Sequence, residues 1–111
     1  MDRVEQYRAI IKRVITEEAQ AAPSDAAVES LAICDTLSDN YLVMLLGWED
    51  TRRVIVPLIH IRLKDGKVWI EADGTEDAIA SILVDAGIPK EEIVLAFYHP
   101  NVRPDTEFAV A

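Results

Sequence analysis

One cysteine and two histidines are all the thiol and imidazole chemistry in a chain of 111 residues. Cys34 has no partner for an intramolecular disulfide, and these three side chains cannot complete a four-ligand zinc site without carboxylates. The four glycines form no phosphate-cradling loop: Gly74 stands alone at a strand-to-helix junction, and neither a Gly-x-Ser-x-Gly elbow nor zinc-type spacing occurs. Basic residues are scarce as well, eleven against twenty acids, for a net charge of −9. A surface of that sign repels phosphate backbones, which argues against autonomous binding to nucleic acid. No run approaches the roughly 18 consecutive apolar residues of a membrane span. The opening residues mix both signs with apolar positions, unlike a secretory signal. These absences predict one soluble, cytoplasmic domain over residues 1–111, without cofactor, metal or membrane contact.

Half of the residues are hydrophobic, and their spacing carries the fold. Val4, Tyr7, Ile11, Val14 and Ile15 follow helical periodicity, so a helix of about five turns opens the chain and stops near Ala22, ahead of Pro23-Ser24-Asp25. Val28–Thr36 and Tyr41–Trp48 read as strands joined by a hairpin, the second apolar on both faces and therefore interior. Val54–Leu63 is a third strand. Pro57 cannot donate to a ladder, so the strand is at an edge there or bulged. Asp65-Gly66 is the strongest local signal, a two-residue turn with residues of positive φ. Counting outward from it pairs Leu63 with Val68, Arg62 with Trp69, Ile61 with Ile70 and His60 with Glu71. Asp73-Gly74-Thr75-Glu76 offers Asp73 or Thr75 as a helix cap, Ile79, Ile82, Leu83 and Ala86 form a short apolar stripe, and Gly87 with Pro89 ends it. Ile93–Phe97 is a further strand or a docked segment.

The predicted class is α+β: one antiparallel sheet of four to five strands, a meander of hairpins, with the long first helix and a shorter second helix on one face. Ile59, Ile61, Leu63, Val68 and Ile70 face that core. The other face shows His60, Arg62, Trp69 and Glu71, joined by Leu58, Val56, Tyr41 and Val43. Such an aromatic and aliphatic surface with a few charges predicts a protein partner, and Tyr41, Leu58, His60, Arg62, Trp69 and Glu71 are its interface candidates.

The chemistry is sparse. His60 opposite Glu71 has the form of a general base with its orienter, and equally of a cross-strand polar pair. Asp73, Thr75, Glu76 and Arg103 complete an alternative ligand site around that pair. Arg62 beside Trp69 reads as a cation–π contact or an interface hot spot. Capping accounts for Asp73 and Glu76 without an ion. Cys34 is expected to be a small buried hydrophobe. His99 and Arg103 either contact an anion or anchor the tail. Charge is unevenly spread: Arg52, Arg53, Arg62, Lys64 and Lys67 face one acid, Asp65, whereas residues 71–92 hold seven acids against Lys90.

Nearly the whole chain resembles the XisI family, the fdxN element excision controlling factors of cyanobacteria. The likeness runs through Glu5-Gln-Tyr-Arg8, Leu46-Gly-Trp48 with Arg53, Ile59-His-Ile61, Asp65-Gly-Lys-Val-Trp-Ile70, Asp73-Gly-Thr-Glu76, Gly87-Ile-Pro-Lys90, Ile93-Val-Leu95 with Phe97, and Phe108-Ala-Val-Ala111. Cys34, Arg62, Ala78 and Ala96 depart from it, changing packing and surface charge. The resemblance implies a XisI-like fold and a part in regulated excision of a DNA element during heterocyst differentiation, beside a recombinase and a companion XisH protein of nuclease-like fold. It transfers no catalytic residues. Two functions follow: a non-enzymatic accessory protein that controls a XisH-like partner through the open sheet face, itself able to self-associate, or a small-ligand binder or enzyme centred on His60, Glu71 and Trp69.

Overall fold

A computed structural model describes residues 2–22, 27–75 and 78–111. Helix α1 spans Arg3–Ala21, capped by Asp2, whose carboxylate accepts the Glu5 N–H at 2.9 Å. It buries Tyr7, Ile11, Val14 and Ile15, the stripe its periodicity requires, and ends with Ala22 as C-cap. The Pro23-Ser24-Asp25 turn expected to stop it lies outside the described residues. Strands β1 (Val28–Asp35), β2 (Asn40–Glu49), β3 (Arg52–Lys64) and β4 (Lys67–Asp73) follow as consecutive antiparallel hairpins. Helix α2 (Ile79–Asp85) then crosses to β5 (Ile93–Leu95), and short 3-10 turns occupy Lys90–Glu92 and Arg103–Asp105. The strand order is β1-β2-β3-β4-β5. The one departure from an antiparallel meander is β5, which runs parallel to β4 because a helix, not a hairpin, connects them. Among the described residues, no helix is long and apolar enough to cross a membrane.

Asp65 and Gly66 both have positive φ, 55° and 76°, so the turn between Lys64 and Lys67 is the type I′ loop its residues demand. From it the predicted pairs Leu63–Val68, Arg62–Trp69 and Ile61–Ile70 form. There the register shifts: His60 pairs with Ala72, and Glu71 is the extra residue of a β-bulge. The expected His60–Glu71 pair is thereby lost, for a local reason. The bulge places Asp73 opposite Ile59, on the helix side, where its carboxylate accepts the N–H of Ile79 at 2.8 Å and caps α2 from six residues away.

A second bulge lies between β2 and β3, where Val43 pairs with Ile59 but Met44 pairs with Pro57, leaving Leu58 extra. Pro57 lacks an N–H, and it lies beyond the end of β4, so the interruption falls where the ladder has least to lose. The structure corrects four placements on the outer face, Leu58 and Val56 through this bulge and Tyr41 and Val43 through the register beside it. Leu58 packs against the hydrophobic core, and Val56, opposite Leu45, turns to the helix side. Tyr41 and Val43 pair with Ile61 and Ile59 and are fully buried beneath the helices. Cys34 is also unlike its expectation: β1 is an edge strand, and the cysteine is exposed near its end. Partial burial nonetheless pushes its thiol up, with Lys12 opposing.

Candidate functional site

Both helices cover the same face, where Tyr41, Val43, Ile59, Ile61, Val68 and Ile70 meet Ile11, Ile15, Ile79 and Leu83. The opposite face divides into two parts. At the β3–β4 end it is polar. Trp69 is half-buried, its indole N–H donates to the Lys64 carbonyl at 3.0 Å, and its ring lies between two cations. Lys64 Nζ sits 4.8 Å from the ring centroid and the Arg103 guanidinium carbon 5.7 Å from it. These two are the stacked cations; Arg62, the expected one, instead faces Glu71, with Nη1 3.5 Å from Oε2.

His60 is half-buried in this strip and hydrogen-bonded to Asn40, Nε2 to Oδ1 at 2.8 Å. The Asn40 amide nitrogen donates to the Ser38 carbonyl and hydroxyl, so its oxygen must accept, and His60 Nε2 carries the proton. Burial pushes the imidazole below its ordinary value of 6.5, opposed by the Glu71 charge and assisted by Arg62. The group that orients the His60 ring is an amide, where a base–orienter pair would have a carboxylate. Asp73 Oδ1 accepts from the N–H and hydroxyl of Thr75, at 3.0 and 2.5 Å, which occupies that carboxylate within its own turn. Glu76 lies outside the described residues. Arg103 is a tail anchor: its guanidinium donates to the carbonyls of Tyr98, Ala96 and Val110. His99 Nδ1 accepts the Asn101 N–H in the same turn.

Toward the other end the outer face is apolar. Leu31 and Ile33 of β1, Leu42, Met44 and Leu46 of β2, and Ile55 and Pro57 of β3 alternate with the core-facing residues and pair across the three strands. Ile55 is 59% exposed and Ile33 40%, and Trp48 at the margin is 50% exposed. Among the described residues, surface clefts lie between α1 and β1 at Thr16 and Ser30 and between α2 and the tail at Val84 and Phe108, and another, lined by Glu29, Leu46, Gly47 and Arg53, lies at the margin of this outer face.

One polar cluster has no local sequence signal. Arg8 on α1 reaches the β1–β2 turn, where Nε and Nη2 donate to the two carboxylate oxygens of Asp39 at 2.9 and 3.1 Å. Glu5 pairs with the same guanidinium, and the Tyr41 hydroxyl donates to Asp39 Oδ1 at 2.7 Å. The only advance hints were an arginine on the flank of α1 and an aspartate, tolerant of positive φ, in the turn.

Fold and surface together define a small α+β domain with both helices on one side of a mixed five-stranded sheet. The XisI protein family profile matches residues 1–110. A crystal structure of a XisI-like protein from Anabaena variabilis ATCC 29413 superimposes with a TM-score of 0.93 at 35% identity, covering 97% of this chain and 99% of that one. A second, of fdxN element excision controlling factor XisI from the same organism, gives a TM-score of 0.88 at 36% identity, covering 99% and 100%. No curated protein matches the chain. The chain belongs to the XisI family.

Proposed function

We propose that this chain is a non-enzymatic regulatory protein that controls DNA excision by binding another protein, a XisH-like partner of nuclease-like fold, in the setting of heterocyst differentiation. The observation that carries the reading is the corner at Trp69, a half-buried indole with Lys64 and Arg103 against its ring and the Arg62–Glu71 pair beside it, on the face of the sheet opposite α1 and α2. Aromatic rings flanked by arginine and lysine on a rigid sheet supply large contact area at little entropic cost, which is the chemistry of an interface anchor. Two further observations agree. The net charge of −9 suits a basic, DNA-binding partner better than DNA itself, and a solved relative bears the name of an excision controlling factor.

The test is co-expression with a XisH-like protein, capture of the complex, and measurement of that partner's binding to and cleavage of DNA with and without this chain. A stable complex that alters cleavage, and that weakens in a Lys64→Ala, Trp69→Ala variant, supports the reading. No complex and unaltered cleavage would sink it and return attention to small ligands near His60.

A further inference from the structure

We infer that the apolar half of the outer face is the seat of a second copy of this chain, stacked face to face about a two-fold axis that runs along β2. The face is distinct from the Trp69 ring and meets that corner only at Arg62, the cross-strand neighbour of Trp69.

The register supplies the argument. Across the outer face the rows read Glu29–Leu46–Ile55, Leu31–Met44–Pro57, Ile33–Leu42–His60 and Asp35–Asn40–Arg62, from β1 through β2 to β3. Acids therefore mark the β1 side, and arginines, Arg62 and Arg53, the β3 side. Rotation about an axis lying in the interface along β2 places β1 of one copy over β3 of the other at the same height. Each Asp35 then comes over the Arg62 of the second copy. Each Glu29 comes over the second copy's Ile55, two residues, or about 7 Å, along the strand from Arg53, within reach of its side chain. Leu42, Met44 and Leu46 pack against their own symmetry mates, and Ile33 and Leu31 cover His60 and Pro57. Two sheets stacked with their strands aligned, about 10 Å apart, form an ordinary sandwich.

Charge selects this occupant over others. A chain of net charge −9 repels its own copy almost everywhere, yet Leu31, Leu42, Met44, Leu46, Ile55 and Pro57 of this face carry no ionisable group, His60 beside them is held toward its neutral form by burial, and the margins are self-complementary. Neither Glu29 nor Arg53 has an ion-pair partner among the described residues. Arg53 is held in place by the Gly47 carbonyl at 3.2 Å and by stacking on Trp48, 5.2 Å to the centroid. Area agrees: the β1–β3 face measures about 14 by 30 Å in backbone, and its marginal side chains widen it to roughly 600 Å² per copy. About 1,200 Å² in all is the lower limit of a specific interface, so the dimer forms in a concentration-dependent way.

The experiment is light scattering on the eluted full-length chain across a range of concentrations, with circular dichroism to confirm folding of each variant. The wild type is expected to approach twice the chain mass. Met44→Glu is expected to leave monomer only, and Glu29→Arg or Arg53→Glu alone to raise the dimer dissociation constant by roughly tenfold or more. Mixing the two single charge variants restores both cross-pairs, so an equimolar mixture is expected to associate again. Glu29 and Arg53 are exposed, so these two variants keep the fold even if Met44→Glu does not. A wild type that stays monomeric, or a dimer indifferent to Glu29→Arg and not rescued by mixing, overturns the inference. So does a face that Met44→Glu disables only for capture of a XisH-like protein, since its occupant is then that partner. Failure of the partner reading shows separately, as loss of capture in the co-expression experiment with the dimer intact.

Discussion

Arg8 grips Asp39 with two hydrogen bonds, 2.9 and 3.1 Å long, across 31 positions of sequence. The pair fixes the position of α1 against the β1–β2 turn, and Asp39 sits there with a φ of 55°. Its two charge-assisted contacts and the Tyr41 hydroxyl all favour the ionised carboxylate, so Asp39 titrates below its ordinary value of 3.8.

A group whose pKa is depressed by folding stabilises above its unfolded value, and that contribution is lost as pH falls through the folded one. Acid unfolding should therefore have a component below about pH 4 that Asp39→Asn removes, together with a lower melting temperature at neutral pH. Denaturant melts from pH 7 downward check this. Equal acid sensitivity in wild type and variant would contradict it.

Tyr41 shows the opposite sign. Burial and the Asp39 carboxylate push its phenol up to about 12. Its contribution is complete below pH 10 and disappears as pH rises from there toward 12. Tyr41→Phe is expected to cost about 2 kcal/mol at neutral pH, the worth of one hydrogen bond to a charged acceptor. Absorbance titration should lose its latest-ionising tyrosine in that variant.

His60 gives a third pH window. Its folded pKa lies below 6.5, so the neutral ring is the native form and stability declines as pH drops below 6.5. His60→Gln should flatten the profile just below pH 6.5 while leaving the acid component from Asp39 in place. Identical slopes in that window would rule out His60 as its source.

Gly47→Ala is expected to be severe. A Cβ at that position would lie 1.9 Å from the Ala27 carbonyl oxygen and 2.6 Å from the Val28 Cα, both backbone atoms. The strands must separate to admit it, at the cost of the 2.9 Å bond from Trp48 N–H to that same carbonyl. A loss of about 3 kcal/mol or more follows, against about 1 kcal/mol for Gly66→Ala, where nothing lies within 4 Å and only the left-handed backbone, φ 76°, opposes the added Cβ. Chemical denaturation of both variants compares them directly.

Where a signal is local, the fold was legible from sequence. Residues Asp65-Gly66 have one low-energy use between two alternating runs, and the spacing of Tyr7, Ile11, Val14 and Ile15 has one period. The α+β class, the interior position of β2 and both helices on one face followed from these. Three apolar residues, Ile93–Leu95, have no measurable period, and the direction of β5 is set by the α2 crossover. The outer face was half read. Trp69, Arg62, His60 and Glu71 were placed on it by counting from the turn, and Leu58 and Val56 were misplaced by the same counting; Tyr41 and Val43 were misplaced for want of the β2–β3 register, which sets them opposite the core residues Ile61 and Ile59. Alternation holds only while each strand advances one residue per partner residue, and neither Leu58 nor Glu71 does. Pro57 marked the first irregularity without saying which way it would turn the chain. For the second the sequence had no local marker: the bulge turns Asp73 to the helix side, where it accepts the Ile79 N–H, a contact that exists only once α2 is docked. The Arg8–Asp39 contact was invisible for a related reason, since no pattern links residues so far apart.

The extra residue at Leu58 sets how this stretch of chain tolerates change in length. Surface loops absorb insertions and deletions because no side chain there is assigned to a layer. Between Arg52 and Leu58 the strand carries its own allowance. Removing Leu58 would bring Pro57 next to Ile59 and restore one-to-one pairing, with Val54 and Val56 still on the helix side and Ile55 and Pro57 still outside. Pressing Leu58 into the ladder as a paired residue would do the reverse, sending Val54 out to water and Ile55 into the layer beneath the helices. A one-residue deletion is therefore absorbed at Leu58, whereas flattening the bulge turns the strand inside out.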